Sequence, residues 1–137
     1  MRAITRPNFL TRSFKMKFIA TENAPAAGGH YSQAVAANGF LFVAGQLPIK
    51  PGGGMPDGIE AQTRQAIANV AAILKAAGSD LSRVVSATVY VSNIDLWPDV
   101  NRVYAEVFGP HRPARTVAVS PQLHHGALVE VQMTALA

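Results

Sequence analysis

The chain has 137 residues, a length typical of one domain, and 49% of them are hydrophobic, enough to form a core. It has no cysteine, which excludes disulfides, cysteine nucleophiles and thiolate metal sites, and no apolar run approaches the roughly 20 residues of a membrane helix. The net charge of +4 lies entirely in residues 1–15, so residues 16–137 are neutral and lack the basic surface that binds nucleic acid.

Residues 1–15 form a basic, acid-free segment ahead of a second methionine, Met16. We expect an N-terminal extension, disordered or upstream of the true start at Met16, followed by a single domain over residues 16–137. The alternative is a transit-type peptide, since the segment is rich in arginine and hydroxyl groups. The protein is therefore expected in the cytoplasm, or in an organelle if this segment directs it there.

Strands are predicted through most of residues 18–49. One strand is expected at residues 31–37 and the next at residues 40–47, joined by Asn38-Gly39, a strong hairpin signal. Glycine and proline predict a loop over residues 50–58.

Two segments have apolar residues at helical spacing. The first helix is predicted over residues 59–77, and Gly78 supplies its stop. In the second, Asp95 is the predicted N-cap, Pro98 lies in the first turn, and Gly109 ends the helix. Its core stripe is predicted at Leu96, Val100, Val103, Tyr104 and Val107.

Three further strands are predicted at residues 84–91, 115–120 and 128–136. The order ββ-α-β-α-ββ does not alternate strictly, so it predicts an α+β fold with two helices packed on one face of a mixed β-sheet. The opposite face of the sheet must also be shielded from solvent. Because only 15% of the residues are charged, a homo-oligomer is the simplest cover.

Two charged residues in the closing strands are candidates for chemistry. Arg115 follows Pro113-Ala114 and begins an otherwise uncharged strand, where its planar guanidinium could bind a carboxylate bidentately. On the final strand, taken as the adjoining one, Glu130 lies among apolar residues and would have a raised pKa if buried, which suits a general acid. The alternatives are a surface arginine and a solvent-facing glutamate.

Weaker candidates lie elsewhere. Asn101 falls outside the core stripe of the second helix, and its amide could orient a polar substrate. Tyr31 follows two glycines that permit close backbone approach, although it could also pack at a sheet edge. Gly45 could expose backbone groups to a ligand or form a bulge. The four histidines lack metal-ligand spacing, so no metal site is predicted.

Together these residues resemble the Rid family of reactive-intermediate deaminases, also called the YjgF family, from about residue 17 to residue 137. The matching segments, in chain order, are APAAGGHYSQAV, FVAGQLP, QTRQAIANVAAILKAAG, VYVSNIDLWPDVNRVYAEVF and PARTVAV with LVEVQMTALA. The resemblance implies a chorismate-mutase-like fold and a homotrimer with clefts between neighbouring subunits. It also implies cofactor-free hydrolysis of enamines and imines, such as 2-aminoacrylate, to 2-oxo acids and ammonia.

Site residues follow from the same resemblance. It assigns the carboxylate-binding arginine to Arg115, the acid to Glu130 and an assisting backbone amide to Val117. The remaining cleft residues are Tyr31, Gly45 and Asn101.

The sequence departs from the family pattern at several positions, which leaves substrate preference open. Ala44 stands where the family often has serine, Val117 where it often has cysteine, and Gln132 where it has a second glutamate. His124 replaces a usual proline and is followed by His125.

Two other functions compete with the deaminase. Some relatives are reported as endoribonucleases, but the neutral body and the absence of a stacking platform argue against RNA. A non-catalytic protein that binds small carboxylates, such as 2-oxo acids, would have a use for Arg115 but none for Glu130.

Overall fold

Six strands and two helices make up the regular structure of residues 15–137, the part of the chain that the computed structural model describes. The strands are β1 (Met16–Ile19), β2 (Ala34–Ala37), β3 (Phe40–Val43), β4 (Val84–Val91), β5 (Ala114–Val119) and β6 (Val129–Leu136). The helices are α1 (Ile59–Ala76) and α2 (Trp97–Phe108). Apart from Lys15, the predicted extension lies outside the described residues.

The strands form one mixed sheet in the order β1-β2-β3-β6-β4-β5. All neighbouring pairs are antiparallel except β4 and β5, which are parallel. Helix α1 packs on β6 and β3, and α2 packs against α1. The predicted α+β class is therefore confirmed. Neither helix is long and apolar enough to cross a membrane, as far as residues 15–137 extend.

The first hairpin is shorter than predicted. Asn38 and Gly39 both have positive φ, 49° and 82°, as a tight two-residue turn requires. However, β2 begins only at Ala34 and β3 already ends at Val43. Before β2, the buried Gln33 side chain bonds the preceding loop, accepting from the backbone N–H of Thr21 and donating to the Pro25 carbonyl. A separate edge strand, β1, also pairs with β2 and was missing from the predicted order.

The predicted N-cap of the second helix is wrong. Helix α2 begins at Trp97, and Asp95 lies in the preceding 3-10 turn, Ile94–Leu96. The side chain of Asn93 caps that turn by accepting a 2.8 Å hydrogen bond from the backbone N–H of Asp95. Pro98 in the first turn and the end at Gly109, with φ 60°, agree with prediction.

The core lies between the helices and one face of the sheet. On β6, four apolar side chains are fully buried on this face: Val129, Val131, Met133 and Ala135. The alternate residues of β6, including Glu130, face the other way, as predicted, and they are partly or fully exposed. On that second face the sheet register aligns Phe18, Val35 and Phe42, and two of these remain exposed, Phe18 at 67% and Phe42 at 48%.

Candidate functional site

Arg115 lies on the helix-covered face of the sheet. Its register partner on β4 is Ala87, which is buried in the core, so the Arg115 side chain leaves the sheet beside α2. There the guanidinium carbon is 4.5 Å from the ring centroid of Trp97 and 4.7 Å from that of Tyr104. Both distances are within the roughly 6 Å range of cation–π attraction.

The Arg115 guanidinium makes no ion pair and donates no hydrogen bond to any residue between 15 and 137. Its five N–H donors therefore remain available to a ligand. Beside it is a cavity of about 440 Å³ whose lining includes Asn101, Tyr104, His111 and Arg112 but no acidic side chain. This cavity favours an anion.

The other helix-face candidates share this location. Asn101 is on α2, one turn before Tyr104, and is exposed, whereas Tyr104 is 6% exposed, as the predicted stripe requires. Val117 follows Arg115 by two residues on β5, points to the same face and packs against the core. Arg115, Asn101 and Val117 thus form one group, called here the arginine group.

Glu130 lies on the opposite face. It lines a second cavity, of about 530 Å³, together with Tyr31, Ala44, Gly45 and His124. Burial raises the pKa of the Glu130 carboxyl, while the nearby His124 acts in the opposite direction. This upward shift of the pKa is in the direction that suits a proton donor.

Gly45 leaves room for the Glu130 carboxyl. A Cβ atom built at position 45 would overlap Oε1 of Glu130 and lie 3.3 Å from its Cδ. A side chain at position 45 would therefore displace the Glu130 carboxyl, a role for the glycine that neither an exposed backbone nor a bulge would have explained. Tyr31, 53% exposed, lies in the loop before β2 and accepts a hydrogen bond from the backbone N–H of Gly28 at 3.2 Å. Glu130, Gly45 and Tyr31 form the glutamate group.

The sheet separates the two groups within one chain. The expectation that Glu130 lies on the strand adjoining that of Arg115 is wrong, because β4 lies between β5 and β6. Their side chains also point to opposite faces, since Arg115 aligns with the buried Ala87 and Glu130 aligns with Tyr90 on the other face. The arginine group and the glutamate group therefore lie on opposite faces of the sheet within one chain.

Buried amides on α1, not anticipated from sequence, hold the loops near the glutamate group. The Gln62 carbonyl oxygen accepts a 2.8 Å hydrogen bond from the backbone N–H of Leu128, and its amide donates to the Pro56 carbonyl. The Asn69 amide donates to the Leu47 carbonyl at 3.0 Å. Their positions on the buried face of the predicted helix were the available signal, because an amide placed there needs backbone partners.

Three of the histidines have different surroundings. His111 places Nε2 2.8 Å from the Val84 carbonyl oxygen. The rings of His124 and His125 are tilted by 38° with centroids 5.0 Å apart, and His125 has a φ of 59°. Within the described part of the chain no three His, Asp or Glu side chains are grouped as a metal site would require.

The amino-acid sequence is similar to those of known proteins. The family model described as Endoribonuclease L-PSP matches residues 21–137. A RutC family protein from Pyrococcus horikoshii is 44% identical over 119 residues, covering 85% of this chain and 94% of that protein. A 2-iminobutanoate/2-iminopropanoate deaminase from Bos taurus is 40% identical over 126 residues, covering 90% of this chain and 92% of that protein.

Solved structures agree. A Rid-family protein of unknown function from Yersinia pestis superposes with a TM-score of 0.87 at 40% sequence identity. The match covers 90% of this chain and 100% of that one.

Proposed function

Because this chain belongs to the Rid family, also called the YjgF family, we propose that it is a hydrolytic deaminase of reactive 2-imino acids and their enamine tautomers. Membership confirms the chorismate-mutase-like fold. Relatives at about 40% identity are named imine deaminases, whereas the family model carries an endoribonuclease description. The proposed products are 2-oxo acids and ammonia, and 2-aminoacrylate is a representative substrate.

One observation carries the proposal: a guanidinium that has no ion-pair or hydrogen-bond partner among residues 15–137 lies beside a cavity without acidic side chains. Arg115 keeps all its N–H donors available, and the lining of about 440 Å³ contains further basic groups but no carboxylate that would compete with a ligand. A small carboxylate fits this site by charge and geometry. The neutral body of the chain argues against a polyanion such as RNA.

A complete site is proposed to form between subunits. In a homotrimer, the arginine group of one subunit would meet the glutamate group of its neighbour, whereas within one chain the sheet lies between the two groups. The uncovered sheet face supports such association, because Phe18 and Phe42 expose apolar surface there. Each Å² of apolar surface buried between subunits would contribute roughly 25 cal/mol to the free energy of association.

The reaction then needs only positioning and one proton donor. Arg115 binds the substrate carboxylate, assisted by the backbone amide of Val117. After the enamine tautomerises to the imine, Glu130 protonates the imine nitrogen directly or through water, and the water that adds to the carbon returns a proton to the Glu130 carboxylate. Collapse of the tetrahedral adduct releases ammonia and leaves the 2-oxo acid. Orientation in a closed cleft would supply much of the acceleration.

The test uses 2-aminoacrylate generated by a serine dehydratase, with 2-oxo acid formation followed over time. Wild-type protein is expected to accelerate release, and Arg115→Ala and Glu130→Gln are expected to lose most of that acceleration. No acceleration by the wild type refutes the deaminase. A 2-oxo acid that binds without turnover would favour the binding protein, and RNA cleavage that survives Arg115→Ala in highly purified protein would favour the nuclease.

A further inference from the structure

The two aromatic rings beneath Arg115 have no assigned role in the proposed reaction. We propose that Trp97 and Tyr104 are positioning residues that orient the Arg115 guanidinium for a substrate carboxylate. We also infer that Trp97, the chain's only tryptophan, reports on ligand binding there. The inference rests on the proposed role of Arg115 as the carboxylate-binding group.

The geometry places both rings against the same cation. Trp97 and Tyr104 are seven residues apart on α2, two helical turns, and so share one face of the helix. Their centroids are 4.5 Å and 4.7 Å from the Arg115 guanidinium carbon. A salt bridge would occupy the N–H donors of arginine, whereas a ring attracts the cation through its π face and leaves those donors to the ligand.

The rings are themselves held in place. Tyr104 is 6% exposed and stacks on Phe108 at a centroid distance of 4.5 Å. Trp97 is half-buried and packs against the hydrophobic core at the start of α2. An arginine on a rigid aromatic surface loses less rotamer freedom when a ligand binds than an arginine free in solvent.

The ring of Tyr104, rather than its hydroxyl, makes the contact. The hydroxyl is buried and has no hydrogen-bond partner among the described residues. This supplies matched pairs of variants: Trp97→Phe and Tyr104→Phe keep a ring beside Arg115, whereas Trp97→Leu and Tyr104→Leu remove it.

The affinity test uses the full chain and 2-oxobutanoate, a stable 2-oxo acid, with dissociation constants measured by calorimetry. We expect Trp97→Leu and Tyr104→Leu each to raise the constant roughly five-fold, the size of the side-chain ordering cost that a pre-positioned arginine avoids on binding. The ring-keeping variants should stay within about two-fold of wild type. An unchanged constant in Trp97→Leu overturns the proposal, and this variant is decisive alone if Tyr104→Leu fails to fold.

The fluorescence test asks whether Trp97 senses the ligand through Arg115. Titration with 2-oxobutanoate should change tryptophan emission saturably in wild type and Tyr104→Phe, and should leave emission unchanged in Arg115→Ala. In the free protein, Arg115→Ala should alter the emission more than Arg112→Ala, which removes a cation from the same cavity. A saturable response that persists in Arg115→Ala overturns the proposal.

The two proposals fail in different ways. A wild-type protein with the Trp97 response but without deamination refutes the proposed function and keeps the positioning role. Deamination that requires Arg115 but is accompanied by neither a Trp97 response nor a loss of affinity in Trp97→Leu refutes the positioning role alone.

Discussion

Replacement of Gly45 by alanine adds one methyl group where the chain that follows β3 passes the Glu130 carboxyl. The new Cβ would overlap Oε1 of Glu130 and approach its Cδ to 3.3 Å. The colliding atom is the end of a flexible side chain, so relief should come from rotation of Glu130 rather than from movement of the sheet. The substitution is therefore expected to displace the proposed proton donor while leaving the fold intact.

The expected effects on activity and stability differ in size. Overpacking in a tight site costs about 1–3 kcal/mol, and rotation of a half-exposed carboxylate should bring the cost to the lower end. Loss of a positioned general acid costs roughly 100-fold or more in rate. Gly45→Ala should thus lose about two orders of magnitude in deamination but at most about 1 kcal/mol of unfolding free energy.

The assay pairs 2-oxo acid formation with urea denaturation. Gly52→Ala is the matched control, because a Cβ there meets no atom within 4 Å and its φ is not in the left-handed region. In the background of Glu130→Gln, adding Gly45→Ala should cost little further activity, because both changes disable the same group. Full activity in Gly45→Ala, or additive losses in the double variant, would refute the reasoning.

Three further outcomes are expected. Burial raises the folded-state pKa of Glu130, so the stability that its protonated form contributes is present at low pH and is lost as pH rises through that pKa. The stability of Glu130→Gln relative to wild type should therefore increase from pH 4 to pH 8, and thermal melts showing the opposite trend would contradict this. Tyr104→Phe removes a buried hydroxyl without a partner within residues 15–137 and should raise the unfolding free energy by about 1 kcal/mol in urea titrations, whereas a loss would imply a missing partner. Asn93→Ala should cost roughly 1 kcal/mol and Asp95→Ala less than about 0.5 kcal/mol, and the reverse order would restore Asp95 as the cap.

Local patterns predicted the elements well where one physical signal dominated. The β-branched run at Val84–Val91 forms β4 with the predicted bounds, and α1 ends one residue earlier than expected. Alternation along β6 correctly separated the buried residues from Glu130. The site residues assigned by resemblance fall into two coherent groups, although no single-chain contact joins the groups.

Strand order was the main failure, for a physical reason. Which strands become neighbours depends on hydrogen bonds between segments far apart in the chain, and β6 inserts between β3 and β4 without any local signal. The face to which Arg115 points follows from the same pairing with Ala87. The prediction of Asp95 as the N-cap failed for a local reason, because the side chain of Asn93, two residues earlier, accepts a hydrogen bond from the backbone N–H of Asp95.

The arginine group and the glutamate group lie on opposite faces of one sheet. Each subunit of the proposed trimer would therefore supply its arginine to one cleft and its glutamate to another. A subunit with Arg115→Ala would inactivate only the cleft to which it supplies its arginine. A subunit with Glu130→Gln would inactivate only the cleft to which it supplies its glutamate. When the two inactive variants are co-assembled in equal amounts, about one quarter of the clefts should combine an intact arginine with an intact glutamate. Activity that neither parent shows would then return on mixing, as genetic complementation between two defective copies of one chain.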